Sequence, residues 1–175
     1  MRKRCGTHKI SREFERTRNT LTIGAINTEM ETNTMDILYT AKVTATGGRH
    51  GSIRSDDGLL DLKLALPKAL GGTGGATNPE QLFAGGYAAC FENALLRVAR
   101  EAGRRFADQD IQVTAEIGLS KNPADVFMLS AALFVTIAGV HQQTAETLVE
   151  GAHHICPYSN AIRGNVAVKT TVSVS

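Results

Sequence analysis

One helix stands out in this sequence: NPEQLFAGGYAACFENALLRVAREA, residues 78–102. Asn78 is a favoured N-cap residue, Pro79 suits the first helical position, and Gln81 completes a capping box. At the other end, Gly103 provides a stop. Apolar residues recur at spacings of three and four, which predicts one buried face.

Two adjacent glycines lie inside this helix. Gly85 and Gly86 each cost about 1 kcal/mol relative to alanine in a helix interior. Their presence indicates that a neighbour packs closely there. The neighbour is either another helix or a substrate.

The remaining chain alternates between strand and helix patterns. Period-two alternation of apolar and polar residues predicts strands at 36–46, 52–55, 60–66, 111–119, 127–137 and 165–174. A second helix is predicted at 142–154, ending near Cys156 and Pro157. This order predicts an α+β fold in which antiparallel sheets pack around two main helices.

Composition excludes several classes of protein. The chain has 175 residues, 42% of them hydrophobic, which suits one domain with a real core. Its formal charge of +2 is far below the basic excess of a nucleic-acid-binding domain. Neither a membrane span nor a secretory signal is recognisable, so we expect a cytoplasmic protein with no nucleic-acid or membrane partner.

The first 34 residues differ from the rest. They hold seven basic and four acidic side chains without a sustained apolar period, which predicts a disordered leader. A transit peptide is the weaker reading, because such segments avoid acids and Glu13 and Glu15 come early. Met35 directly precedes the first strand pattern, so the leader is consistent with translation from a start codon upstream of Met35. From Met35 onward a single domain is predicted, with 12 basic and 13 acidic residues.

Three cysteines, Cys5, Cys90 and Cys156, form neither a CxxC motif nor an even set. A buried structural thiol is the simplest reading of the latter two, and a redox pair is the second. A Cys-His nucleophile of the hydrolase kind is a third, since His153 and His154 lie downstream of Cys90. A zinc site from Cys90, Cys156 and His153 lacks a fourth ligand at a recognised spacing. A reversible disulfide is also compatible with a redox sensor.

Three separated motifs narrow these readings. They are ATGGR at 45–49, TNPEQLFAGGYAACF at 77–91 and CPYSNAIRGN at 156–165. In this order they closely resemble the organic hydroperoxide resistance (Ohr) proteins of the OsmC/Ohr family. The resemblance covers residues 35–174, and the last motif is similar to the Ohr branch rather than the OsmC branch.

The resemblance implies an OsmC-like fold, an intertwined homodimer and a thiol-dependent peroxidase. Cys90 matches the peroxidatic cysteine, which attacks an organic hydroperoxide and becomes a sulfenic acid. Cys156 matches the resolving cysteine, which condenses with it to a disulfide. Reduced lipoyl groups on lipoylated proteins are the implied external reductant, and no bound metal or cofactor is implied. The implied role is resistance to alkyl and lipid hydroperoxides.

Two charged residues complete the implied site. Arg49 matches the arginine that holds the thiolate, and Glu80 matches the acid that pairs with it. Ten residues separate Glu80 from Cys90 on one helix, so about 15 Å lies between them along its axis. We therefore expect Arg49 and Glu80 to serve the cysteines of a partner subunit.

The apolar face near Cys90 also suggests a substrate pocket. Phe83, Tyr87 and Phe91 are candidates to line this pocket, although we expect their main role to be packing in the core. An apolar pocket favours alkyl or fatty-acid hydroperoxides over hydrogen peroxide. His50, Glu92 and Asn93 depart from the family pattern, so we expect altered substrate preference rather than lost activity.

Overall fold

A computed structural model describes residues 36–175. The predicted leader at 1–34 lies outside the described residues. Every element described below lies within the compact unit Ala41–Ser175. In the described part of the chain, no helix is long and apolar enough to cross a membrane.

The first sheet is an antiparallel meander of three short strands, β1 (Val43–Thr46), β2 (Ser52–Ser55) and β3 (Asp61–Lys63). The predicted strand at 36–46 is therefore wrong over its first seven residues. Ser55, the last residue of β2, pairs with Val43, so earlier residues meet no partner strand in the described chain. The predicted strand at 60–66 shortens to β3, because β2 begins at Ser52 opposite Lys63 and Leu64 forms an isolated bridge with Thr77.

Helix α1 (Pro79–Glu101) forms as predicted. The Asn78 side-chain oxygen accepts a hydrogen bond from the Gln81 backbone amide at 2.9 Å. The reciprocal half of the capping box is absent, since the Gln81 side chain accepts from the Thr77 hydroxyl instead. Gly103 follows the helix at φ +72°, a left-handed conformation that glycine adopts without strain.

The second sheet contains β4 (Ile111–Lys121), β5 (Phe127–Ile137) and β6 (Val168–Val174). Strands β4 and β5 form an antiparallel hairpin, as predicted. Strand β6 pairs with β5 in parallel, which corrects the expectation of purely antiparallel sheets. A parallel neighbour needs a long crossover, and helices α2 (Gln142–Ile155) and α3 (Pro157–Ile162) supply it.

The core lies where α1 and α2 pack on the second sheet. Its largest fully buried side chains come from α1, from β5 and from the junction of α2 and α3: Tyr87, Phe91, Leu95, Leu133, Val135, Ile137 and Cys156. The sequence predicts the two main helices but not α3, whose six residues are too few for a periodic signal.

The first sheet contributes little to this core. Of the eleven residues in β1, β2 and β3, only Ile53 is buried. Exposed apolar side chains also cluster at the start of β5, where Phe127 is 64% exposed. The predicted intertwined homodimer would cover such surfaces, and it stays a prediction.

Candidate functional site

The two cysteines of the described chain meet although 66 positions separate them. Cys90 lies in the middle of α1, and Cys156 lies at the junction of α2 and α3. Their Sγ atoms are 3.7 Å apart, and both thiols are free. A disulfide requires about 2.05 Å between sulfurs, so a small approach closes the bond.

The two thiols differ in access to solvent. Cys156 is fully buried, whereas Cys90 is partly exposed. A hydroperoxide arriving from solvent therefore meets Cys90 first. The geometry makes Cys90 the accessible sulfur and Cys156 the sulfur held behind it.

The surroundings of Cys90 within one chain do not activate it. Burial raises the pKa of the Cys90 thiol, and the neighbouring Cys156 raises it further, while the backbone amide of Tyr158 opposes this effect. The thiolate is the nucleophile, so a raised pKa disfavours the reactive form. Among the described residues of this chain, no cationic side chain shifts the Cys90 pKa.

Arg49 and Glu80 form a two-pronged ion pair. The Arg49 guanidinium donates hydrogen bonds of 2.8 and 2.6 Å to the two Glu80 carboxylate oxygens. The hydrogen bond from Arg49 holds the pKa of Glu80 below its ordinary value, and Glu80 in turn raises the pKa of Arg49. This fork-to-fork geometry fixes the guanidinium plane.

Local backbone structure places both members of the pair. Arg49 lies in a 3₁₀ turn, Gly48–His50, directly after β1. Gly47 enters that turn at φ +78°, and a Cβ on Gly51 would lie 1.7 Å from the Thr46 carbonyl oxygen, so the turn requires glycine. Glu80 lies in the first turn of α1, where the helix dipole favours an anion.

The structure thus joins Arg49 to Glu80 and Cys90 to Cys156, but as two separate pairs. The positions of Glu80 and Cys90 on α1 correspond to about 15 Å along the helix axis. Arg49 is not among the groups that shift the Cys90 pKa. Within one chain, the cation and the accessible sulfur do not form one site.

The three aromatic pocket candidates belong mainly to the core. Tyr87 and Phe91 have no exposed surface, and Phe83 is partly buried. Sequence reasoning missed an apolar cleft of about 470 Å³ beside Arg49. Its walls come from loop and sheet residues far apart in sequence: Leu66, Leu70, Leu119 and Phe127. No local pattern in the sequence brings these four residues together.

Behind the cysteines runs a chain of polar side chains that the sequence did not indicate. The Tyr87 hydroxyl lies 3.0 Å from Ser159 Oγ, which lies 3.2 Å from His153 Nδ1. His153 Nε2 lies 2.9 Å from Thr170 Oγ1. Burial lowers the pKa of His153, and the nearby charges of Arg163 and His154 lower it further. This chain ties α1, α2, α3 and β6 together.

The hydrogen-bond partners of His153 bear on the hypotheses that it is a catalytic base or a metal ligand. Both ring nitrogens are engaged by hydroxyl groups rather than by Cys90 or Cys156. The arrangement does not match a Cys-His nucleophile, in which the imidazole bonds the sulfur. Within residues 36–175, no three His, Cys, Asp or Glu side chains lie together as a metal site would need.

Comparison with known proteins identifies the family of this chain. The model of the OsmC-like protein family matches residues 72–171. An organic hydroperoxide resistance protein, OhrB, from Bacillus subtilis (strain 168) is 48% identical over 135 residues, covering 75% of this chain and 96% of that protein.

Solved structures are also similar. An organic hydroperoxide resistance protein OsmC from Legionella pneumophila is 53% identical, with a TM-score of 0.74 over 80% of this chain and 99% of that one. One from Elizabethkingia anophelis is 45% identical, with a TM-score of 0.76 over 81% and 100%. The chain therefore belongs to the OsmC-like family and, within it, to the organic hydroperoxide resistance proteins.

Proposed function

We propose that this protein is a thiol-dependent peroxidase that reduces organic hydroperoxides to alcohols. The observation that carries the proposal is the approach of Cys90 and Cys156 to 3.7 Å, with one sulfur accessible and the other buried. Family membership supports organic hydroperoxides as the substrate class.

The first step oxidises Cys90. Its thiolate attacks the distal oxygen of the hydroperoxide, the O–O bond breaks, and the departing alkoxide takes a proton and leaves as an alcohol. Cys90 carries the transferred oxygen as a sulfenic acid. Two electrons pass from the sulfur to the peroxide.

The second step forms the disulfide. Cys156 attacks the Cys90 sulfur, and the hydroxide that leaves takes the Cys156 proton to form water. Capture of the sulfenic acid prevents its further oxidation to sulfinic acid. The 3.7 Å separation supports this step, because the sulfurs need only a small approach.

The cycle closes by reduction of the disulfide. A dihydrolipoyl group is our proposed reductant, supplying two electrons and two protons and leaving as the oxidised lipoyl ring. Only Cys90 of the pair is accessible, so the incoming thiol attacks there. A small dithiol on a flexible arm suits a partly buried sulfur better than a folded redox protein does.

We further propose that each site is completed by a second copy of the chain. Peroxide reduction needs a thiolate, and one chain alone raises the Cys90 pKa without a compensating cation. Arg49 is fixed by Glu80 far from its own Cys90, and the first sheet and the start of β5 present uncovered apolar surface. In a homodimer, Arg49 of each chain would stabilise the Cys90 thiolate of the other.

The apolar cleft beside Arg49 supports the choice of substrate. Its walls are leucines and Phe127, with the guanidinium as the charged element. An alkyl or acyl chain fits such walls, whereas hydrogen peroxide gains nothing from them. We therefore expect alkyl and lipid hydroperoxides to be preferred.

A steady-state assay tests the function. With tert-butyl hydroperoxide as oxidant, we expect turnover with dihydrolipoamide and little with thioredoxin. Cys90→Ser should abolish turnover. Absence of peroxide consumption with every thiol reductant would overturn the proposal.

A further inference from the structure

Gly86 is the point at which the backbone of α1 lies against Tyr158 of α3. A Cβ added to Gly86 would lie 2.6 Å from the Tyr158 hydroxyl oxygen and 3.1 Å from the ring carbon that bears it. Distances under 3.0 Å are essentially never tolerated at a Cβ. The adjacent Gly85 is exposed, and a Cβ there would meet nothing within 4 Å. Only one of the two glycines is therefore required by packing.

The ring of Tyr158 has little freedom to swing away. It stacks on Tyr87, with centroids 5.9 Å apart and planes 15° apart. It also meets Phe83 edge to face at 5.6 Å. Because these rings confine it on two further sides, a methyl group at position 86 would displace Tyr158 with its backbone.

Displacement of Tyr158 would move the buried cysteine. Tyr158 follows Cys156 by two residues in the first turn of α3, and the Asn160 amide donates to the Cys156 carbonyl at 3.0 Å. Cys90 lies four residues after Gly86, on the same face of α1. The contact of the Tyr158 ring with Gly86 therefore joins the part of α1 that carries Cys90 to the segment that carries Cys156.

We propose that Gly86 is a positioning residue for disulfide closure. Its missing side chain lets Tyr158 pack against α1, and this contact holds Cys156 Sγ within reach of Cys90 Sγ. The inference deepens the proposed function and rests on it for its role in peroxide reduction. Closure itself can be measured without peroxide, which separates the two claims.

An aromatic disulfide, 5,5′-dithiobis(2-nitrobenzoate), provides the measurement, with every variant carrying Cys5→Ser. The Cys90 thiolate attacks the reagent, forms a mixed disulfide and releases one thionitrobenzoate anion. Cys156 then attacks the Cys90 sulfur, forms the intramolecular disulfide, and releases the second anion as its proton passes to solvent. Two protein thiols are oxidised while the reagent is reduced. The rate of the second release is the rate of closure.

Gly86→Ala and Gly85→Ala are a matched pair for this assay. Both add one methyl group and gain the same helix propensity. We expect Gly85→Ala to close within about twofold of the parent and Gly86→Ala to close about tenfold more slowly or worse, since misplacement by about 1 Å can cost about 100-fold. Equal closure rates for the two variants would overturn the proposal.

Two further variants keep the test decisive if Gly86→Ala folds poorly. Tyr158→Phe in the Gly86→Ala background removes the atom nearest the added methyl, so part of the closure rate should return. Tyr158→Ala with Gly86 intact removes the seated ring and should also slow closure. A Tyr158→Ala variant that closes as fast as the parent would contradict the inference. If the parent closes rapidly but consumes no peroxide, the peroxidase proposal fails while the positioning role of Gly86 stands.

Discussion

The Sγ atom of Cys156, which is fully buried, lies 3.7 Å from the Sγ atom of Cys90, which is partly exposed. Under the proposed function, this relationship predicts an order of reaction, because an oxidant from solvent reaches Cys90 before Cys156. It also predicts the product, a disulfide between these two cysteines.

The order predicts opposite behaviour of two serine variants. Cys156→Ser should consume one equivalent of organic hydroperoxide and stop as a sulfenic acid, because Cys90 still reacts but nothing resolves it. Cys90→Ser should consume none. Dimedone labelling followed by mass spectrometry distinguishes these states. Dimedone adduct in Cys90→Ser, with none in Cys156→Ser, would reverse our assignment.

Excess peroxide should overoxidise Cys156→Ser more than the protein that keeps both cysteines. In Cys156→Ser, the uncaptured sulfenic acid should oxidise further to sulfinic acid, while the protein with both cysteines should remain largely disulfide-bonded. Intact-protein mass spectrometry over a peroxide titration measures the fraction overoxidised. Equal overoxidation in both proteins would contradict the prediction that Cys156 protects Cys90.

A shared site predicts complementation between two inactive variants. Arg49→Ala lacks the cation and Cys90→Ser lacks the nucleophile, yet a mixed dimer combines Cys90 from one chain with Arg49 from the other. After denaturation and refolding of an equal mixture, about a quarter of the parent activity should return, because half of the dimers are mixed and each has one intact site. A site built within one chain would return none.

The Arg49–Glu80 pair predicts a pH-dependent contribution to stability. Glu80 has a lowered pKa, so its stabilisation is present above the ordinary value of 4.5 and lost as the pH falls through the lower folded value. Because Arg49 is 37% exposed, solvent screening limits the effect of Glu80→Gln to about 1 kcal/mol near pH 7. Urea unfolding near pH 7 and near pH 4 should show this difference shrink. Glu150→Gln, at an exposed helix position with no ion pair in the described chain, is the control.

His153 predicts a pH dependence at higher pH. Its pKa is lowered in the fold, so the unfolded chain takes up a proton near the ordinary value of 6.5 before the folded protein does. Stability should therefore fall as the pH drops below about 7, and His153→Gln should lose up to about 1 kcal/mol of that dependence. Urea unfolding at fixed protein concentration measures it. His141, an exposed histidine before α2, provides the matched variant His141→Gln, which leaves the groups that shift the His153 pKa unchanged and should keep the parent slope.

Local signals sufficed for much of the fold. The caps and periodicity of α1 predict its bounds almost to the residue, and Gly86 has the close neighbour that its cost in a helix demands. The parallel pairing of β6 could not be predicted, because strand direction depends on the crossover through α2 and α3 rather than on alternation. The strand predicted at 36–46 failed over its first part because a strand needs a partner, and β2 ends opposite Val43.

The candidate site could also be predicted only in part. The sequence motifs identify Arg49, Glu80, Cys90 and Cys156 as candidates, and the helix spacing predicts that Glu80 and Cys90 lie apart. The Tyr87, Ser159, His153 and Thr170 chain was missed, because its members come from four elements and none is unusual in sequence. The contact of Tyr158 with Gly86 could not be predicted either, because it depends on how α1 and α3 pack.

Thiol counting after a single equivalent of organic hydroperoxide tests the central claim most directly. Reduced protein carrying Cys5→Ser, mixed anaerobically with one equivalent of tert-butyl hydroperoxide per chain, should lose both Cys90 and Cys156 thiols together and yield one equivalent of tert-butanol. Tryptic mapping should show a Cys90–Cys156 disulfide. Retention of both thiols, or loss of thiols that persists in Cys90→Ser, would contradict the account.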